Sequence, residues 1–207
     1  MFTCDVATID LTPMPLLSDH GTTTDSATSF SNREQNVSEH SISKHSISEI
    51  GIAEWLLQIN DDISRELERG VNIRQLVAAR ACVIDELLIA LFKWFELDKT
   101  DLALFATGGY GRGELSLYSD VDILLLTPDE IMADNKEKID NLVALLWDIG
   151  LEPALSVRSV SECLEAALDH TGASALLEER LLVGNEALQD APIKSSIPSG
   201  RHVIFLR

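Results

Sequence analysis

Along the middle of the chain, apolar residues fall into two kinds of rhythm. Positions 52–69 carry them at helical spacing and stop at Gly70, a usual C-terminal helix signal. Asn72 is placed to cap a second helix, whose apolar side is written by Ile73, Leu76, Val77, Val83, Ile84, Leu87, Leu88, Leu91, Phe92 and Phe95. Beyond it the rhythm shortens. Positions 101–107, 121–126 and 151–158 read as strands. Between the last two, Ile139, Leu142, Val143, Leu146 and Ile149 mark an amphipathic helix closed by Gly150. Two more helices are expected at 161–168 and 173–183.

The ends of the chain lack this order. Residues 1–48 are rich in Ser, Thr, Asn and Asp, contain near-copies of one pentapeptide at 39–43 and 44–48, and read as a disordered leader. His40 and His45, five apart in those copies, suggest metal binding only weakly, because solvated histidines in a polar tail are commonly incidental. Residues 189–207 carry Pro192 and Pro198 and only a short apolar run at 203–206. The organisation is therefore a leader (1–48), a helical lead-in (49–98), an α/β domain (99–188) and an irregular tail (189–207).

With 207 residues, 45% hydrophobic, the chain is long enough for one domain with a real core. Its formal charge of -18 disfavours a nucleic-acid partner, since phosphate backbones are held by clustered Lys and Arg. An acidic site still takes a nucleoside triphosphate when divalent ions lie between carboxylates and phosphates. Cys4, Cys82 and Cys163 are far apart, which suggests reduced thiols rather than a disulfide scaffold or zinc site. No stretch approaches a membrane-spanning length and no signal peptide opens the chain, so a soluble, cytoplasmic protein with no membrane partner is expected.

The chemistry concentrates in Gly108-Gly109-Tyr110-Gly111-Arg112-Gly113-Glu114-Leu115 and, a few residues on, Ser119-Asp120-Val121-Asp122. A strand ends in a glycine turn and the chain re-enters the sheet with two carboxylates first. Residues two apart on a strand share a face, so Asp120 and Asp122 point together and can share divalent metal ions. Gly108 and Gly109 let backbone N–H groups close on a phosphate, and Arg112 can add a charge-assisted contact. A glycine turn alone usually only reverses the chain, and an Asp-x-Asp pair is usually a solvated strand end. The eleven-position step from Gly109 to Asp120, with an apolar strand after it, makes the combination much more specific.

These residues, with Tyr118 completing the second element, resemble the nucleotidyltransferase signature of bacterial PII uridylyltransferases, a branch of the polymerase-beta-like superfamily. The likeness runs from about 70 to 188. It takes in Gly70-Val-Asn-Ile-Arg through Arg80, Asp85-Glu-Leu-Leu88, Leu146-Trp-Asp-Ile-Gly-Leu151, Ser156-Val-Arg158 and Ala175-Leu-Leu-Glu-Glu-Arg-Leu-Leu182. The resemblance implies an α/β fold with a small mixed sheet flanked by helices, and uridylyl transfer from UTP to a tyrosine of the PII signalling protein with Mg²⁺ or Mn²⁺. Asp120 and Asp122 would be catalytic and metal-binding, with Gly108, Gly109, Arg112 and Ser119 on the nucleotide. Two departures stand out. Ala154 and Leu155 replace an expected Gly-His before Ser156, and the superfamily's frequent third carboxylate has Glu152 as its nearest candidate, although a glutamate at a strand entrance is more often simply a surface residue.

The resembled family also carries an HD phosphohydrolase domain and ACT domains. This sequence has no His-Asp dipeptide, so it looks like a fragment that is not expected to remove UMP. Competing readings are adenylyl transfer to another acceptor and a catalytically silent binding module. Tyr110 is a candidate for stacking on uracil or for packing against its own helix. Glu114 is a candidate metal or cap residue, His170 a helix C-terminal partner, and Trp55, Trp94 and Trp147 core or interface residues.

Overall fold

A computed structural model of the chain describes residue 9 and residues 11–15, 46–128, 133–168 and 178–188. Helices α1 (Ser46–Glu68) and α2 (Ile73–Trp94) pack together through Ile52, Ile59 and Ile63 on one and Leu76, Ile84, Leu87 and Leu91 on the other, all buried. Asn72 caps α2 as expected, its Oδ1 accepting from the Arg74 N–H at 2.9 Å. Burial of a side chain such as Leu87 contributes about 1.5–3 kcal/mol, so this helix pair is a stable platform for the sheet that packs on it.

A 3₁₀ turn (Leu97–Lys99) leads into β1 (Ala103–Ala106), α3 (Gly108–Gly111), β2 (Val121–Thr127), α4 (Ala133–Asp148), β3 (Pro153–Ser159), α5 (Val160–Leu168) and β4 (Arg180–Gly184), with a last 3₁₀ turn at Glu186–Leu188. The sheet order is β3-β2-β1-β4. β1 runs antiparallel to β2 and β4, while β2 and β3 are parallel, as the intervening α4 requires. This is the expected small mixed sheet flanked by helices.

Strand alternation divides the sheet's two faces. Leu104, Ala106, Val121, Ile123 and Leu125 join the main core with α1, α2 and α4. Ala103, Phe105, Leu124 and Leu126 join a smaller cluster with Cys163 of α5 and Leu188. Asp122 has the same parity as Leu124 and Leu126, so its side chain belongs to this second face, at the open end of β2. A capping box starts α5: the Ser159 N–H donates to Glu162 Oε2 at 2.8 Å, and the Glu162 N–H to Ser159 Oγ at 3.1 Å.

The structure departs from the sequence pattern in several places. Of the helix foreseen at 173–183, residues 173–177 lie outside the described residues, and the rest is instead turn and strand β4 (Arg180–Gly184); its Leu pairs imitate helical spacing, but pairing with β1 satisfies its backbone groups. Within the leader, the Thr12 N–H and Oγ1 donate to Asp62 Oδ2 at 3.0 and 2.8 Å, and Trp55 Nε1 donates to the Thr12 carbonyl at 3.0 Å. Ile9, Leu11 and Met14 pack on the core beside this contact, and α1 begins before residue 49. Cys82 is disulfide-bonded, against the expectation of reduced thiols, whereas Cys163 is free and buried. Trp55 is buried, but Trp147 is 56% exposed and is no core residue. His40, His45, His170 and the tail at 189–207 lie outside the described residues.

Candidate active site

β1 ends at Ala106 and the chain turns at once into α3, whose four residues are Gly108, Gly109, Tyr110 and Gly111. Gly108 has φ +57°, a left-handed conformation that side chains with a Cβ resist. A Cβ there would stand 3.1 Å from Asp122 Oδ2. The Thr107 N–H also donates to the Asp122 carbonyl at 3.0 Å. The glycine turn and the second carboxylate of the Asp pair therefore meet at one point. By helix geometry the first amides of such a turn have no carbonyl partner within it, which leaves Gly108 and Gly109 N–H groups suited to an anion.

Burial, and then the charge of Asp120, raise the pKa of the Asp122 carboxyl from its ordinary value. That the Asp120 charge acts on Asp122 agrees with the two side chains sharing a side of the strand entrance. Ser119 supports the entrance: its N–H and Oγ donate to the Ser116 carbonyl at 3.3 and 2.9 Å. Glu152 is exposed, and its carbonyl accepts from the Val121 N–H at 3.0 Å. Since Val121 pairs with Pro153, the preceding register position sets Glu152 beside Asp120, while Ala154 stands opposite Asp122. Among the described residues, no three His, Cys, Asp or Glu side chains converge tightly enough to hold an ion.

The remaining candidates sit elsewhere. Arg112 Nε donates to Glu114 Oε2 at 3.2 Å, and its guanidinium also pairs with Glu178. The Glu114 hydrogen bond first, and the Glu178 charge after it, raise its pKa, so it stays cationic at any working pH. In this arrangement the guanidinium and both carboxylates are engaged with one another rather than with the Asp pair. Gly109 is needed by the turn itself, because a Cβ would stand 3.2 Å from the Glu114 carbonyl oxygen, and the Glu114 N–H closes on the Gly109 carbonyl at 2.9 Å.

Tyr110 does not face a base. Its ring is 1% exposed and its hydroxyl donates to Asp85 Oδ1 at 2.6 Å. Burial, then the Asp85 charge, push the phenol's pKa well up, so it remains a donor. Arg180 forks onto the same carboxylate, with Nη1 to Oδ2 at 2.6 Å and Nη2 to Oδ1 at 3.1 Å. Asp85 and Arg180 fall within the segments that carry the family resemblance, but sequence reasoning gave neither a role, because they stand 25 and 70 positions from Tyr110. A further cavity of about 220 Å³, lined by Ile63, Leu67, Leu76, Val77, Arg80 and Leu115 among others, contains none of the glycines of the turn and neither Asp120 nor Asp122. Apart from Arg80, which is bound to the Ser116 carbonyl, its lining is mainly apolar and offers a triphosphate little to neutralise it.

A glycine turn in contact with Asp122, at a strand entrance that carries two carboxylates, is the arrangement of a nucleotidyl-transferring domain. Residues 90–183 match the family described as "Nucleotidyltransferase domain", consistent with a polymerase-beta-like fold. The chain is 74% identical over 192 residues to the bifunctional uridylyltransferase/uridylyl-removing enzyme of Psychrobacter arcticus and 72% identical over the same length to that of Psychrobacter cryohalolentis. Each alignment covers 93% of this chain and 20% of the relative. The enzyme of that name from Acinetobacter baumannii is 43% identical over 143 residues, covering 68% of this chain and 16% of the relative. By homology the chain belongs to the uridylyltransferase family of nucleotidyltransferases, and it spans about a fifth of the length of the first two relatives. No helix among the described residues is long and apolar enough to cross a membrane.

Proposed function

We propose that this chain carries out metal-dependent uridylyl transfer from UTP to a tyrosine hydroxyl of a PII-type signalling protein in the cytoplasm. The observation that carries the reading is the meeting of Gly108 with the Asp122 carboxylate, which brings an anion-binding backbone and a metal-binding side chain to one point. The names of the relatives supply the uridylyl group.

The residues present suit Mg²⁺ or Mn²⁺. Asp120 and Asp122 offer hard oxygen donors, and Asp122, whose charge is disfavoured by burial and by Asp120, gains most from a neighbouring cation. Those two side chains would hold the ion, with Glu152 the candidate third carboxylate. When bound, the ion neutralises the triphosphate and the departing pyrophosphate. Gly108 and Gly109 donate backbone N–H groups to a phosphate oxygen, and Ser119, next to Asp120, is a further candidate contact to the nucleotide. In the transfer, the acceptor hydroxyl gives up its proton to solvent and its oxygen bonds to the α-phosphorus, while the bond from the α-phosphorus to the α,β-bridging oxygen breaks and pyrophosphate leaves.

The test is labelling of purified PII protein by the chain with Mg²⁺ and either α-labelled UTP or α-labelled ATP. Label from UTP, absent with Asp122→Asn, is expected. Label from ATP alone would move the reading to adenylyl transfer, and none from either nucleotide would leave a binding module.

A further inference from the structure

Residues 178–180 cross behind the glycine turn and touch it at several independent places. A Cβ on Gly111 would overlap the Glu178 carbonyl oxygen, so backbone lies directly against backbone there. The Glu178 carboxylate pairs with Arg112 at the end of the same turn. Arg180 Nε donates to the Gly111 carbonyl at 3.2 Å and Nη2 to the Tyr110 carbonyl at 3.3 Å, while its guanidinium lies 5.6 Å from the centre of the Tyr110 ring. Asp85 of α2 closes the set by accepting from both Arg180 and the Tyr110 hydroxyl.

We infer that Arg180, held by Asp85, is a positioning residue that fixes the glycine turn against the Asp pair and so sets nucleotide affinity. The inference rests on the nucleotidyltransferase reading of that turn. A planar fork that grips one carboxylate and two carbonyls fixes orientation as well as distance. The pair is largely buried, with side-chain exposures of 17% and 16%, so solvent screens it little and either partner left alone is costly. Its carbonyl acceptors belong to Tyr110 and Gly111, the residues directly after the two proposed phosphate-binding amides. Asp85, Tyr110 and Gly111, which the brace joins, have no role of their own in the proposed chemistry. Removing it therefore lets the turn drift from Asp122 without altering any group that meets the nucleotide.

The experiment compares the full chain with its Arg180→Met, Arg180→Lys and Tyr110→Phe variants, by amide hydrogen exchange and by calorimetric titration with UTP in Mg²⁺. For Arg180→Met we expect faster exchange confined to 108–113, with α2 protected as in the parent, and affinity for Mg·UTP lowered roughly tenfold. KM should rise by a larger factor than kcat falls. Arg180→Lys keeps the charge facing Asp85 but not the fork, and should fall between parent and Met. If Arg180→Met loses the α2 protection, Tyr110→Phe, which removes one hydroxyl contact, decides: faster exchange at 108–113 alone supports the brace. Unchanged exchange at 108–113 in a folded variant, or a rise spread evenly through α2 and the sheet, overturns it. Failure of the underlying reading looks different, since the parent and Asp122→Asn would then be alike in binding and transfer while the exchange comparison still reports on the brace.

Discussion

Replacing Gly108 by Ala separates the architecture of the turn from its chemistry. At φ +57° an Ala bears the left-handed penalty of about 1–2 kcal/mol. The new methyl also stands 3.1 Å from Asp122 Oδ2, so the carboxylate must give way by a few tenths of an ångström; rotating it off its rotamer adds roughly 0.5–1 kcal/mol. A total near 2 kcal/mol corresponds to a melting temperature lower by about 6 °C in a chain of this size. Gly70→Ala is the matched control. Its φ is +88° and a Cβ there meets nothing within 4 Å, so it carries the backbone penalty alone, worth about 3 °C. Nucleotide transfer, measured as pyrophosphate release at saturating Mg²⁺ and corrected for folded fraction, should fall by roughly a hundredfold in Gly108→Ala and stay at the parental level in Gly70→Ala. Equal activity per folded molecule in the two variants would refute the reasoning, because the contact between turn and carboxylate would then be incidental to the chemistry.

Asp122→Asn should abolish transfer yet make the metal-free protein more stable at neutral pH, because the charge that burial and Asp120 disfavour is removed. Because the folded carboxyl lies above its ordinary value, the parent loses stability as pH rises through that folded value; the variant's advantage should therefore vanish well below the carboxylate range, and a pH-independent difference in melting would contradict this. Glu152→Gln is expected to raise the Mg²⁺ concentration needed for half-maximal rate several-fold without abolishing transfer, as suits a carboxylate set beside Asp120 by register; an unshifted Mg²⁺ titration would assign Glu152 to the surface. With the cysteines kept reduced in both chains, so that the Cys82 disulfide does not contribute, deleting residues 1–15 should cost about 1–3 kcal/mol in urea unfolding, since Asp62 loses the two Thr12 donors and its neighbours lose the packing of Ile9, Leu11 and Met14. Burial acts to raise the Asp62 pKa, but the Gln58 and Thr12 hydrogen bonds outweigh it and hold it low. That contribution should be present above the ordinary carboxylate value and fade as pH falls through the folded one; the same urea midpoint with and without the segment would argue against the strap.

Local signals carried most of the fold. Asn72 caps α2 from two residues away, and Ser159 with Glu162 boxes the start of α5, so such boundaries are written into a few adjacent letters. β4 was illegible for the opposite reason. Leu181, Leu182 and Val183 have apolar neighbours at either period, and only pairing with β1, about 80 positions earlier, decides between them. The site divides in the same way. Alternation along β2 suffices to align Asp120 and Asp122, whereas the burial of Tyr110 depends on Asp85 and Arg180, which no spacing rule brings together. Arg112 shows the limit of reasoning from charge: a cation beside a glycine turn suggests a phosphate ligand, but Glu114 and Glu178 compete for it.

The backbone contact between Gly111 and residue 178 also imposes an order on assembly. The turn emerges with β1 and β2, but the segment that presses on it comes more than 60 residues later, after α4, β3 and α5. Closing a loop of that length has an entropic cost that must be met before the contact forms, so β4 docks onto β1 as a late, non-local event. During synthesis, both carboxylates and all the turn glycines are therefore present well before the chain can lock them together. A nascent protein with the whole motif already translated remains without a finished site until β4 arrives.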